Sequence, residues 1–140
     1  MMINDPVNSP EDKNKIIELT LPLDAAYISA ARLTSSSIAN RMGFGIEEIE
    51  DIKTAVSEAC TFVIEKSTKL TANPASFVLR FNVQPDCLII TLESTIVNFM
   101  EYKEETGLLL IRALMNEVEL KVTQDTAFMI LKKKHNAFSV

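Results

Sequence analysis

Apolar and polar positions along this chain repeat with two different periods, and the switches between them divide it into elements. From Lys15 to Leu21, Ile17, Leu19 and Leu21 alternate with Glu18 and Thr20, the period of a strand with one buried side. Pro22 ends the run, and Asp24 is placed to cap a helix reaching about Met42. Gly43-Phe44-Gly45 breaks that helix. Ile46 to Lys66 then follows the helical period, with Ile49, Ile52, Val56, Cys60 and Val63 on one stripe. Glu47, Glu48, Glu50 and Asp51 fall in its first turns, where the helix dipole favours negative charge. After an Asn73-Pro74 turn, Phe77, Leu79, Phe81 and Val83 alternate with Val78, Arg80 and Asn82. Pro85-Asp86 turns the chain into the apolar run Cys87 to Leu92, the second half of a hairpin. Residues 93 to 104 follow neither period. A third helix is predicted over Glu105 to Asn116. Val118, Leu120 and Val122 then alternate with Glu117, Glu119 and Lys121, and Gln124-Asp125 turns into a last strand over 126 to 133.

The order is β-α-α-β-β-α-β-β. Strands with one apolar side predict a two-layer α/β (α+β) sandwich: a mixed, mostly antiparallel sheet with all three helices on one face. One domain is expected over 15–134. Residues 1–14, polar, with two prolines and no periodicity, are expected to form a flexible N-terminal arm, and 135–140 a C-terminal tail.

Composition adds exclusions. The chain of 140 residues is 47% hydrophobic and 24% charged, ordinary values for one globular domain. No apolar run approaches the roughly 18 to 20 residues of a membrane span, and the first residues are not signal-like, so a cytoplasmic location and no membrane partner are expected. A net charge of −5 argues against direct nucleic-acid binding. Cys60 and Cys87 lack metal-site spacing and fall on apolar stripes, which predicts two reduced core thiols. Lys132-Lys133-Lys134 reads as a solvated strand end and His135, the sole histidine, as an exposed tail residue. Ser-His-Asp catalysis and multi-histidine metal sites have little to stand on.

Two helical features stand out. Glu58 and Phe62, four residues apart, lie opposite the apolar stripe of the second helix. A large aromatic beside a carboxylate, turned from the obvious core, is a second buried face, a partner surface or a former active site. The first helix has an apolar stripe of Tyr27, Ile28, Ala31, Ile38 and Met42, while Ala26, Ala30, Leu33 and Ser37 opposite it are almost uncharged. Arg32 and Arg41 are its only charges between Ala25 and Met42. Such a helix is either covered by the N-terminal arm or a protein–protein surface.

Three stretches together resemble the anti-sigma-factor serine kinases, small members of the Bergerat-fold (GHKL) ATPases. They are RLTSSSIANRMGF at 32–44, IEEIEDIKTAVSEACT at 46–61 and GLLLIRALMNEVEL at 107–120. In that family the second helix carries a Glu, acting as general base, and four residues later an Asn that holds the nucleotide's magnesium. The resemblance puts Glu58 at the first position and Phe62 at the second. An aromatic ring offers no oxygen to Mg²⁺, a hard cation. The family's Asp-x-Gly after the central strand is matched by Glu93 and Thr95, and only Gly107 survives of the Gly-x-Gly that opens the third helix. Glu104 and Glu105 beside it would repel a triphosphate, and the segment preceding the helix is too short for a long lid.

The resemblance therefore implies a regulatory binding protein in a partner-switching system of transcription control, with the ATP and Mg²⁺ site lost and Glu58 a vestigial base. No cofactor is expected on this reading. Implied partners are a second copy in a homodimer, a sigma factor and a STAS-domain anti-anti-sigma factor, with Arg32 at the partner surface. The alternatives are an active kinase using ATP and Mg²⁺ to phosphorylate a STAS-domain protein, and a structural subunit whose old cleft holds another ligand.

Overall fold

The computed structural model describes residues 15–73 and 75–135. The expected arm at 1–14 lies outside the described residues, as does the expected tail beyond His135. Strand β1 (Lys15–Pro22) leads through a 3-10 turn (Ala25–Tyr27) to helix α1 (Ile28–Met42) and helix α2 (Ile46–Leu70). The hairpin β2 (Ser76–Val83) and β3 (Cys87–Ser94) follows, then a 3-10 turn (Phe99–Tyr102), helix α3 (Thr106–Leu114) and a second hairpin, β4 (Glu117–Thr123) and β5 (Thr126–Lys134). The strands form one sheet in the order β1-β2-β3-β5-β4. Every pairing among the described residues is antiparallel, so the expected antiparallel character extends across the whole sheet and no parallel pair accompanies it.

Register converts the sequence alternation into two faces. Leu19, Leu79, Leu92, Met129 and Leu120 form one row across the five strands, and Ile17, Phe81, Ile90, Leu131 and Val118 the next. Apart from Ile17, which is 40% exposed at the edge, these rows meet Ala31, Ile38 and Ala39 of α1, Ile52, Val56 and Val63 of α2, and Leu108 and Ile111 of α3 in one core. Each large side chain so buried contributes roughly 1.5–3 kcal/mol, before conformational entropy is subtracted. The other face carries rows such as Glu18, Arg80, Thr91, Ile130 and Glu119. All three helices lie on the first face, in the predicted two layers.

Local chemistry sets the helix limits. Asp24 accepts a hydrogen bond from the Ala26 N–H at 2.9 Å, but it caps the 3-10 turn rather than α1. Tyr27 is consequently half exposed, not part of the buried stripe. Gly43 adopts φ +91°, a left-handed cap that suits glycine, and donates to the Asn40 carbonyl at 3.1 Å. Glu48 accepts from the Gly45 N–H at 3.0 Å, fixing the start of α2. α2 runs one turn beyond the expected Lys66. α3 is shorter than expected, because Met115 is already extended.

Two expectations about the C-terminal run are corrected. Lys133 is not a solvated strand end: its Nζ donates to the last carbonyl of α3, Leu114, at 2.7 Å and lies 3.5 Å from Asp51 Oδ2. That contact satisfies an orphan helix-end acceptor with a cation. His135 is not a loose tail residue either. Its N–H donates to the Asp86 carbonyl at 2.8 Å, and its ring stacks on Phe44 with centroids 4.6 Å apart. Both cysteines are free and buried as expected, and burial pushes the Cys60 thiol up to about 12.

Candidate functional site between the second and third helices

Helical spacing places Glu58, Thr61, Phe62, Glu65 and Lys66 along one side of α2, facing the N-terminus of α3. With Glu105 and Gly107 they line a groove of about 110 Å³. Glu58 is half buried at its wall. Phe62 is only 6% exposed. Phe62 therefore belongs to a second buried face of α2, next to Ala55 and Ala59, which have no exposure.

What buries Phe62 comes from the segment that follows neither period. The Phe62 and Tyr102 ring centroids are 5.6 Å apart at 84°, an edge-to-face contact, and Phe62 and Phe99 are 6.2 Å apart. Each such pair contributes roughly 0.5–1.5 kcal/mol beyond area burial. Lys66, one turn after Phe62, lies 4.6 Å from the Tyr102 centroid and 5.5 Å from that of Phe62. The same Nζ sits 3.0 Å from Glu105 Oε1, at the residue that precedes α3. Three aromatic rings and one ion pair thus fasten α2 to the 3-10 turn and to the start of α3.

Not every expected site residue is here. Glu58, Phe62 and Gly107 come together as the sequence suggested. Glu93 does not: it sits on the open face of the sheet, where it is hydrogen-bonded to Arg80, which also binds Glu18. These two carboxylates hold the Arg80 guanidinium above its ordinary pKa, the Glu93 bond being the larger cause. Ser94, the next residue, points to the helix side and is 3% exposed, its Oγ accepting from the Ile96 and Val97 N–H groups at 3.1 Å each. Thr95 is exposed beyond it, on a separate recess shared with Asn98, Gln124 and Asp125. Arg32 is exposed on α1, away from the groove. Gly107 is not required by packing, since a Cβ there would meet nothing within 4 Å.

Lys66, Tyr102, Phe99 and Ser94 were not singled out from sequence. Strand parity would have found Ser94, because Leu88, Ile90 and Leu92 share its face. Lys66 was signalled only by its position four residues after Phe62.

The groove's chemistry is one-sided. Glu58, Glu65 and Glu105 line it against one ammonium, Lys66, which already has a partner. Among the described residues no group of three or more His, Cys, Asp or Glu is placed to hold a metal ion. No helix among them is long and apolar enough to cross a membrane.

Three helices thus cover one face of a five-stranded antiparallel sheet, with a groove between the second and third helices. The fold is similar to that in the crystal structure of the RsbU and RsbW domains of Rv1364c from Mycobacterium tuberculosis, with a TM-score of 0.67 at 15% identity, over 85% of this chain and 32% of that one. No protein-family model matches the chain. It is 31% identical to serine-protein kinase RsbW of Bacillus cereus strain Q1, over 85% of this chain and 84% of that protein. The RsbW of Bacillus mycoides strain KBAB4 is 30% identical, over 89% and 87%. The chain belongs to the RsbW serine-protein kinase family.

Proposed function

We propose that this member of the RsbW family acts by binding proteins and not by transferring phosphate. On this reading it is an anti-sigma-type regulator in a partner-switching system of transcription control, and its cleft takes neither ATP nor Mg²⁺. The carrying observation is the packing of Phe62 against Tyr102 and Phe99 under the Lys66–Glu105 pair. The ring occupies the position where the resemblance calls for a magnesium ligand, and a side chain without oxygen has nothing to give that ion. The remaining groove, about 110 Å³, is well below the roughly 300–1,000 Å³ of ordinary small-molecule sites. Its three carboxylates oppose a triphosphate.

Partner binding is supported by α1, where Arg32 is exposed beside Leu33, itself 69% exposed. An arginine next to an apolar side chain suits a protein interface. The partners in this reading are a sigma factor, a STAS-domain anti-anti-sigma factor and a second copy of the chain, in a cytoplasmic setting without direct nucleic-acid contact. The second reading, an active serine-protein kinase, is favoured by Glu58 remaining at the groove and by relatives that are serine-protein kinases. Titration calorimetry with Mg-ATP, together with a phosphate-transfer assay on a STAS-domain partner, separates the two. The expected result is no binding at 1 mM nucleotide, a threshold of about −4 kcal/mol, and no transfer. Submillimolar magnesium-dependent binding, or a phosphorylated partner, establishes the kinase reading instead.

A further inference from the structure

A larger concavity than the cleft is a groove of about 340 Å³ between the C-terminal half of α1 and the start of β1. Its floor is apolar: Ile17, Ile38, Met42 and Val83. Its polar rim includes Lys15 and Arg41, and no Asp or Glu among the described residues lines it. Neither cation lies within 4.0 Å of a carboxylate among the described residues, where the ion pairs engage Lys53, Lys66, Arg80, Lys132 and Lys133. In a chain with a net charge of −5, a carboxylate-free recess with two cations is a local inversion of sign.

The groove also opens on a strand edge. β1 pairs with β2 alone among the described residues, so its outer backbone groups face outward beside the groove. Ile17 is 40% and Ile16 64% exposed on that edge, and the pairing of β1 with β2 runs without interruption from Lys15 to Pro22. Lys15 and Ile17 point to the groove side, in line with Leu19 and Leu21. A strand added here would send alternate side chains over the same floor.

We propose that the α1–β1 groove docks an extended segment of a partner protein, added to β1 as a strand, with an apolar side chain on the floor and an acidic one at Lys15 and Arg41. Main-chain hydrogen bonds to β1 supply affinity, and the groove supplies selection. A second copy pairing its own β1 with this β1 is a poorer occupant, because it brings the same cations, Lys15 and Arg41, to the groove. Arg41 is nine positions from Arg32, about two and a half turns, so this surface is on the opposite side of α1. The proposal holds whether or not the cleft binds nucleotide.

The test uses the full chain and two blocked heptapeptides in a threonine host. One carries two leucines and a glutamate at alternate positions, and the other has lysine in place of the glutamate. Amide chemical shifts and affinities are followed by NMR titration. The glutamate peptide should bind, shift amides along β1 and the end of α1, and bind at least tenfold better than the lysine peptide. Arg41→Glu with Lys15→Glu should reverse that preference, and Arg41→Gln, a milder change, should weaken the glutamate peptide severalfold. Equal binding of the two peptides, or shifts that miss β1, overturns the proposal. It is overturned equally by a concentration-dependent dimer that protects the β1 amides, or by decanoate filling the groove where neither peptide binds.

Discussion

The cleft between α2 and α3 and the groove between α1 and β1 use similar parts to opposite ends. The cleft sets Phe62 and Lys66 among three carboxylates, whereas the groove sets Lys15 and Arg41 around an apolar floor with no carboxylate among the described residues. In the cleft the chain supplies its own occupants: Phe62 fills the space, and Lys66 finds Glu105 3.0 Å away with two aromatic rings beneath it. In the groove Ile17 is 40% exposed, and Lys15 and Arg41 have no acidic partner among the described residues. A site stays available to a ligand only while its own side chains leave space and charge unsatisfied. By that criterion, the proposed reading has the position named by the family resemblance closed and a surface with no motif open.

Truncation should break this comparison first if it is wrong. Phe62→Ala removes a ring that is 6% exposed and touches two others, so it should cost about 3–5 kcal/mol of unfolding free energy. Ile17→Ala, on the groove floor at 40% exposure, should cost about 1 kcal/mol or less. Urea unfolding of both variants measures the difference. Comparable losses would mean that the groove is as much a part of the packed core as the cleft is.

The second measurement asks whether α2 is dry on both sides. Burial raises the Cys60 thiol from 9.0 to about 12, so the folded state keeps a proton that the unfolded state gives up first. Stability from this thiol is fully present below pH 9 and is lost as pH rises towards the folded value. At pH 10 the loss relative to neutral pH is on the order of 1 kcal/mol. Wild type and Cys60→Ala should therefore converge in stability between pH 8 and 10 by about that amount, followed by urea denaturation. A constant difference would show a thiol reached by solvent, and a helix less enclosed than described.

Most of the layer structure was legible because it is written in periods. Alternation in β2, β3 and β5 names the buried residues directly, and Leu79, Ile90 and Met129 all have zero exposure. Failures came where another signal overrode the period or where none existed. Motif spacing drew attention to Glu93, although the parity of Leu88, Ile90 and Leu92 already sends Glu93 to the open face and Ser94 to the helices. Tyr27 fitted a helical stripe, but Asp24 starts a 3-10 turn, which rotates the ring outward. The roles of Lys133 and His135 were out of reach, since Leu114, Asp51 and Phe44 are distant in sequence and become neighbours only on folding. Phe99 and Tyr102 were hidden for the same reason, in a segment with no period to read.

The smallest expected effect concerns the fastening itself. Lys66 is 12% exposed at its side chain but Glu105 is 46% exposed, so water screens the pair and its energy stays modest. A double-mutant cycle of Lys66→Met and Glu105→Gln should give a coupling of about 0.5–1 kcal/mol. Lys66→Met should lose a further fraction through the Tyr102 ring, a contact worth roughly 0.5–1 kcal/mol that survives Glu105→Gln. The order of effects therefore matters more than their size: Lys66→Met should destabilise more than Glu105→Gln, and Tyr102→Leu should narrow that gap. In the groove, Arg41→Met should change stability by less than about 0.5 kcal/mol, because no ion pair is broken. If Arg41→Met costs as much as Lys66→Met, Arg41 has a partner within the folded chain, and the contrast between a filled cleft and an open groove is lost.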